Sequence, residues 1–511
     1  MIVPFNVRDF LDRAAVAYPR HLALVDEPDQ PAEPWPDLTF EELADRARRQ
    51  AAGLDRLGVG RGERVAVVSP NASRLLVSFF GVCGYGRILV PVNFRLSAEE
   101  VAYIVEHSGA SVLLVDAELE TALSTVDAPH RIVLGPESDP RLFPEGAEPE
   151  PWEPDESATA TINYTSGTTA RPKGVQLTHR NCWVNAAVFG WHLQLSDRDR
   201  YLHTLPMFHA NGWGMPWATA AVGCPQVVLR KVDGTEILRR VEAHGITVLC
   251  AAPAVVNAVL DAASRWPGPV PGRGRTRVVV AGAPPPSRTI ERVEEELGWE
   301  FVQIYGLTET APLLTVNRRR AEWDDLPAPE RARQLLRAGA PAVGTAIGVD
   351  EHGEVLARSN TIMEGYWQQP DESAQALDGG WFHTGDGGLL DDEGHLTILD
   401  RKKDVIITGG ENVSSIEVED ALFSMAGIAE VAVIGIPDDQ WGELVVALVV
   451  TDDGADLAED DVIAHARTRL AGFKCPKRVE FRDALPRTAT GKLQKFRLRA
   501  PYWEGRDRQV N

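Results

Sequence analysis

Cysteine is scarce in this 511-residue chain: Cys83, Cys182, Cys224, Cys250 and Cys475 stand singly, with no C-x-x-C pair and no metal-ligand spacing. A disulfide scaffold and a structural zinc site are thereby excluded, and free buried thiols in a reducing cytoplasm are expected. No stretch approaches the ~18 uninterrupted apolar residues that a membrane-spanning helix needs. The first turns of the chain lack the apolar core of a secretory signal. Positive charge is also short. The 52 Lys and Arg face 74 Asp and Glu, a formal net charge of −22. That balance disfavours unspecific attraction to nucleic acid or to an anionic membrane, although a local Lys among backbone N–H groups still suits an anionic ligand. No internal repeat or low-complexity tract is present.

What is there reads as a soluble globular chain, 44% apolar and 25% charged, too long for one ordinary domain. Strand and helix patterns alternate from the start. Thr39 and Glu42 form a capping box before a helix that runs to Leu57. Val65–Val68 follows as a buried strand, then a helix over 74–85 with strand 88–92, and a helix over 98–107 with strand 112–115. Such alternation predicts α/β layers with parallel sheets. The polar, Pro-rich stretch 136–156 reads as a surface connection, and alternation resumes from Thr161 to Leu314. A strand over 397–399 enters the charged run Asp400-Arg401-Lys402-Lys403-Asp404. Beyond it the rhythm changes to short strands (431–436, 444–450) and helices (415–423, 460–470). A large domain 1–400, a hinge 401–404 and a small domain 405–511 are expected.

Chemistry concentrates first in Tyr164–Gly174, YTSGTTARPKG. Glycine lets successive backbone N–H groups face one anion, Ser and Thr hydroxyls add donors, and Lys173 adds charge. This suits a polyphosphate without being the G-x-x-x-x-G-K-[ST] loop, whose spacing differs. The segment resembles the phosphate loop of the adenylate-forming superfamily of acyl-CoA synthetases, peptide-synthetase adenylation domains and beetle luciferases. Six further stations follow in the family's order: Pro206–His209, Tyr305–Thr310 (YGLTET), Gly365–Trp367, His383–Asp386 (HTGD), Asp400-Arg401 with Gly409–Asn412, and Pro486–Lys492 (PRTATGK). The resemblance spans essentially the whole chain and is closest to fatty-acyl-CoA synthetase-like acyl-CoA ligases. It implies a large domain of parallel sheets plus a β-barrel-like part, and a small mobile α+β domain.

The resemblance also implies roles. Thr165, Ser166, Gly167, Thr168, Thr169 and Lys173 would hold the phosphates of ATP. Thr308 would donate to a phosphate and Glu309 would hold Mg²⁺, a hard ion that takes oxygen ligands. Gly282, Ala283 and Pro284, with Tyr305 and Ile398, would flank the adenine, and Gly306 and Leu307 would belong to the same ATP/AMP site. Asp386 and Arg401 would take the ribose. Lys492 would swing in to touch both the carboxylate and the α-phosphate, two anions that otherwise repel. Lys403 would be the hinge, and Gly409 and Gly410 would let the pantetheine arm of CoA pass. His209, Asn211, Gly212, Trp213 and Gly282 would wall the acid, with His209 beside its carboxylate. No Asp stands in Pro206–Gly214, where amino-acid-activating relatives place one, so a hydrophobic carboxylic acid is expected.

Two departures from the family stand out. Ala170 replaces a usual Gly; if φ there is positive, that costs on the order of 1 kcal/mol. The stretch 344–364 is short by about a hairpin, a loss compatible with removing one docking surface of the small domain. Two readings therefore stay open: a full acid–CoA ligase, and an adenylating enzyme that hands acyl-AMP to a second ligase or carrier protein. The acid's identity, and whether the chain forms a homodimer, are not fixed by these residues.

Overall fold

The computed structural model describes residues 1–165, 171–401, 404–409, 411–438, 440–452, 454–487 and 493–504. Local sequence rules place most elements. The helix Phe40–Arg56 starts where Thr39 accepts from the Glu42 N–H and the Glu42 carboxylate accepts from the Thr39 N–H. Its buried residues Leu43, Ala47, Ala51 and Leu54 recur at helical spacing and face the core. The apolar runs Arg64–Val68, Ile88–Val92 and Ala110–Asp116 pair in parallel, buried on both faces as such runs must be.

These strands belong to a seven-stranded sheet ordered Gly365–Tyr366, Lys173–Thr178, Thr159–Thr165, Ile88–Val92, Arg64–Val68, Ala110–Asp116, His130–Leu134. A nine-stranded sheet runs beside it, its centre made of the parallel strands Tyr201–His203, Val248–Ala251, Arg277–Val280 and Glu300–Tyr305. The largest apolar cluster joins Val65 and Val67 of the first sheet to Val248 and Val302 of the second, through helices Ser73–Gly81, His179–His192 and Met215–Ala221. A four-stranded antiparallel sheet, Thr345–Val349, Glu354–Ser359, Phe382–Leu390 and Leu396–Arg401, is the barrel-like part. The abbreviated stretch 344–364 thus still supplies a paired hairpin. From Ile406 onward the strands form a sheet of their own, with Ile428–Asp438 and Gly442–Thr451 at its heart. Helix Ser415–Phe423 reaches back to the larger part, where Asp420 Oδ1 accepts from the Ser287 N–H at 2.8 Å and its hydroxyl at 3.1 Å.

The stretch 136–156 needs correction. It is not merely a surface connection: it holds a short helix, Asp139–Leu142, and buries Leu142 and Phe143 completely or nearly so. Phe143 packs edge-on against Trp35, and Asp139 pairs with the buried Arg74. Gly53 is required where this strap crosses the helix below, since a Cβ there would sit 2.3 Å from the Leu142 carbonyl.

Candidate active site

The sheet ends place the motifs. Strand Arg277–Val280 delivers Gly282, Ala283 and Pro284 at its C-terminal end, and the neighbouring strand ends at Tyr305. Strand Thr159–Thr165 ends in the YTSGTTARPKG stretch expected to bind phosphate, with Thr165 registered opposite Lys173. Ligand crevices of parallel sheets open at such ends.

Two anionic centres flank segment 305–310. At the first, the Tyr305 hydroxyl donates to Asp386 Oδ2 at 2.8 Å, and Arg401 Nε stands 3.8 Å from Asp386 Oδ1. Asp386 and Arg401 are register partners on adjacent strands of the four-stranded sheet. Asp386 is largely buried and Arg401 is exposed. Burial, then the Asp386 charge, holds the Tyr305 phenol neutral by raising its pKa. Tyr305 and Ile398 pack on the same small apolar cluster of Ala338, Val355 and Leu396. The arrangement offers a flat aromatic wall beside a carboxylate and a guanidinium, groups suited to a base and its sugar hydroxyls.

At the second centre, Glu309 sits in the single turn Thr308–Thr310, and its Oε1 accepts from the Tyr366 hydroxyl at 3.1 Å. Burial and Glu309 raise the Tyr366 pKa, so this phenol is also a neutral donor. Lys173 Nζ lies 4.9 Å from the centre of the Tyr366 ring. The turn is fixed from within: the Thr310 hydroxyl donates to the Pro312 carbonyl at 2.6 Å and accepts from the Leu307 N–H at 3.0 Å. A Cβ on Gly306 would lie 1.5 Å from the Pro312 carbonyl oxygen, so only glycine fits. Among the described residues no three His, Cys, Asp or Glu gather as metal ligands. A lone carboxylate is what Mg²⁺ needs when phosphate oxygens and water complete its shell, so the donor set fits a nucleotide-borne Mg²⁺.

The segment after His209, expected to wall the acid, has an unusual backbone. Ala210, Asn211, Gly212, Trp213 and Gly214 all have φ between 45° and 77°, a left-handed turn that periodicity does not announce. Asn tolerates this conformation, while Ala and Trp do so at about 1 kcal/mol or more each. His209 precedes the turn half-buried, and Trp213 is 4% exposed within the main apolar cluster. Asn185 braces the turn, donating to the Trp213 carbonyl at 3.2 Å and accepting from the Leu313 N–H at 3.2 Å. Tyr366 in this contact and Asn185 were not singled out from sequence; their partners lie too far along the chain for a local pattern.

Gly409 has φ 60°, its N–H donating to the Trp441 carbonyl at 2.8 Å, and the exposed Trp441 ring lies against it. Ser166, Gly167, Thr168, Thr169, Ala170, Lys403, Gly410 and Lys492 lie outside the described residues. The described part thus brings Tyr305, Asp386, Ile398 and Arg401 together, and Glu309 with Tyr366 and Lys173.

Known proteins agree with this architecture. The family model described as AMP-binding enzyme matches residues 11–367, and that described as AMP-binding enzyme C-terminal domain matches residues 417–492. The chain is 38% identical to 4-hydroxybutyrate–CoA ligase 2 of Metallosphaera sedula, over 90% of this chain and 89% of that protein. It is 35% identical to 2-methylpropanoate–CoA ligase CCL4 of Humulus lupulus, over 97% of this chain and 95% of that one. Among solved structures, the anthranilate CoA ligase AuaEII in complex with anthranoyl-AMP superposes with a TM-score of 0.88 at 26% identity, covering 98% of each chain.

Proposed function

Because the chain belongs to the AMP-binding enzyme family and is an acid–CoA ligase, we propose that it activates a hydrophobic carboxylic acid with ATP and Mg²⁺ and then transfers the acyl group to CoA. The observation that carries this reading is the Tyr305–Asp386–Arg401 contact, a set suited to a nucleoside, with Glu309 four residues beyond Tyr305 and held by Tyr366. In the first half-reaction the acid's carboxylate oxygen attacks the α-phosphorus of ATP and pyrophosphate leaves. Tyr305 with Ile398 and the Gly282–Pro284 loop flank the base, while Asp386 and Arg401 hold the ribose hydroxyls. Thr165, Ser166, Gly167, Thr168, Thr169 and Lys173 hold the phosphates with Thr308. Glu309 would hold Mg²⁺, which would supply positive charge against the negative charge that develops as pyrophosphate departs. Lys492 draws carboxylate and α-phosphate together. In the second half-reaction the CoA sulfur attacks the acyl carbonyl and AMP leaves; His209 borders the path and Gly409 and Gly410 give the pantetheine arm room.

We assign 1–400 to a large domain, 401–404 to a hinge that turns at Lys403, and 405–511 to a small domain that presents Lys492 and then Gly409–Gly410. The adenylation-only alternative, drawn from the short stretch 344–364, is not favoured. Relatives named as CoA ligases span nearly the whole chain, and the stretch still pairs within the barrel-like sheet. The acids named for the two relatives are four-carbon compounds, which supports starting a substrate panel with short acids. Five buried free thiols support a reducing compartment such as the cytoplasm. Lys492→Ala tests the scheme. Acyl-AMP formation should fall roughly 10²-fold or more, and an unchanged rate would remove Lys492 from the mechanism.

A further inference from the structure

Three buried side chains close a hydrogen-bonded ring between the acid-side turn and the strand that enters the phosphate loop. The Thr161 hydroxyl donates to Asn163 Oδ1 at 2.9 Å, Asn163 Nδ2 donates to Asn211 Oδ1 at 3.0 Å, and Asn211 Nδ2 donates to Thr161 Oγ1 at 3.0 Å. None of the three is more than 1% exposed. Every bond runs the same way round, so each polarises the next in the low dielectric of the core. An apolar contact would hold two core segments together at less risk, because a polar ring must be complete to be tolerated. A ring specifies something that packing does not: one register and one orientation.

What it specifies is the relation of two proposed subsites. Asn211 lies inside the left-handed turn 210–214, two residues after His209. Asn163 lies two residues before Thr165, where strand Thr159–Thr165 gives way to the phosphate loop. Without the ring, a turn of five left-handed residues has no repeating backbone ladder to fix its position against that strand.

We propose that Asn211 is a positioning residue for acid activation. Through Thr161 and Asn163 it locks the turn carrying His209 to the Thr165 end of the strand, so that carboxylate and phosphates meet in one geometry. This rests on the function proposed above. Displacements of about 1 Å in such alignment cost up to about 10²-fold in rate.

The test is acid-dependent ATP–pyrophosphate exchange by the full chain, with KM for acid and for ATP measured separately. Two variants break the ring differently: Asn211→Gly keeps the left-handed backbone and removes the amide, and Thr161→Val removes the hydroxyl. Thr161→Ser keeps the ring. The proposal expects the two ring-breaking variants to lose about tenfold or more in kcat and to raise KM for the acid several-fold, with KM for ATP within about twofold. Thr161→Ser should stay within about twofold of wild type. The double variant Asn211→Gly/Thr161→Val should lose no more than the worse single, as members of one unit do. Equal kinetics in Thr161→Val and Thr161→Ser would overturn the proposal, as would losses that follow only the folded fraction. If one ring-breaking variant fails to fold, the other decides; if neither folds, the ring is structural and the proposal fails. A wild-type chain that exchanges pyrophosphate with no acid would instead remove the functional reading itself.

Discussion

At the scale of single residues, the site works through pairs that no local motif contains. Glu309 sits in a contiguous YGLTET motif, but the hydroxyl that orients it belongs to Tyr366, 57 residues on. If Glu309 holds Mg²⁺ as proposed, Tyr366 is an outer partner of that ligand, and outer partners of this kind alter metal affinity by roughly tenfold or more. Tyr366→Phe should therefore raise the Mg²⁺ concentration for half-maximal adenylation about tenfold, read by titrating Mg²⁺ at saturating acid; an unchanged midpoint would detach Tyr366 from the site. The motif stretches stand out in the sequence because they are contiguous runs of small, chemically distinctive groups. Tyr366 was legible only as part of Gly365–Trp367, without its partner, since spacing along a chain carries no distance across a fold. Asn211 lies in the stretch expected to wall the acid, and the ring it closes with Thr161 and Asn163 leaves no local pattern for the same reason.

At the scale of elements, legibility followed the strength of the periodic signal. The capping box at Thr39, the strand 88–92 and the helix 415–423 were read with the bounds they have. Strand pairings around 110–116 extend a residue or two beyond their apolar cores, because hydrogen-bonded partners hold flanking residues extended. Two of the elements that escaped show why. Leu142-Phe143 lies among Pro and Glu, and two apolar residues make no period. The turn 210–214 follows no repeat because left-handed backbone is set by tertiary contacts such as those from Asn185. Loop 305–312 shows how tight these elements are. Gly306→Ala would drive a methyl into the Pro312 carbonyl, and the loop must open to admit it. That should destabilise the chain by more than about 3 kcal/mol or displace Tyr305 and Glu309 together. Urea unfolding with ATP-binding calorimetry checks it: wild-type stability with wild-type ATP affinity would contradict the close approach.

At the scale of the whole molecule, two histidines, His179 and His203, are fully buried in the large core. Burial pushes His179 and His203 down to about 4, with His203 held against Gln226 at 2.8 Å. Between that value and the unfolded one near 6.5 the unfolded chain binds more protons, so stability rises with pH across this window. It is fully present above about pH 6.5 and lost as pH falls; at pH 5 each histidine costs about 2 kcal/mol. Urea midpoints should therefore drop from pH 7 to pH 5, and His203→Gln should flatten the slope. An equal slope in that variant would show that His203 is not a source of the acid sensitivity. The change of rhythm after Asp400 was legible, and the strands on either side of it belong to separate sheets. The acid was not legible, because the residues proposed to wall it, such as His209, Trp213 and Gly282, are remote from one another in sequence.

The most direct measurement of the central claim is mass spectrometry of products from the purified chain with ATP, Mg²⁺ and a panel of hydrophobic acids beginning with four-carbon compounds, each with and without CoA. An acid–CoA ligase should yield acyl-CoA, AMP and pyrophosphate when CoA is present, and acyl-AMP when it is withheld. Acyl-AMP that persists in the presence of CoA, with no thioester formed from any acid it activates, would contradict the account.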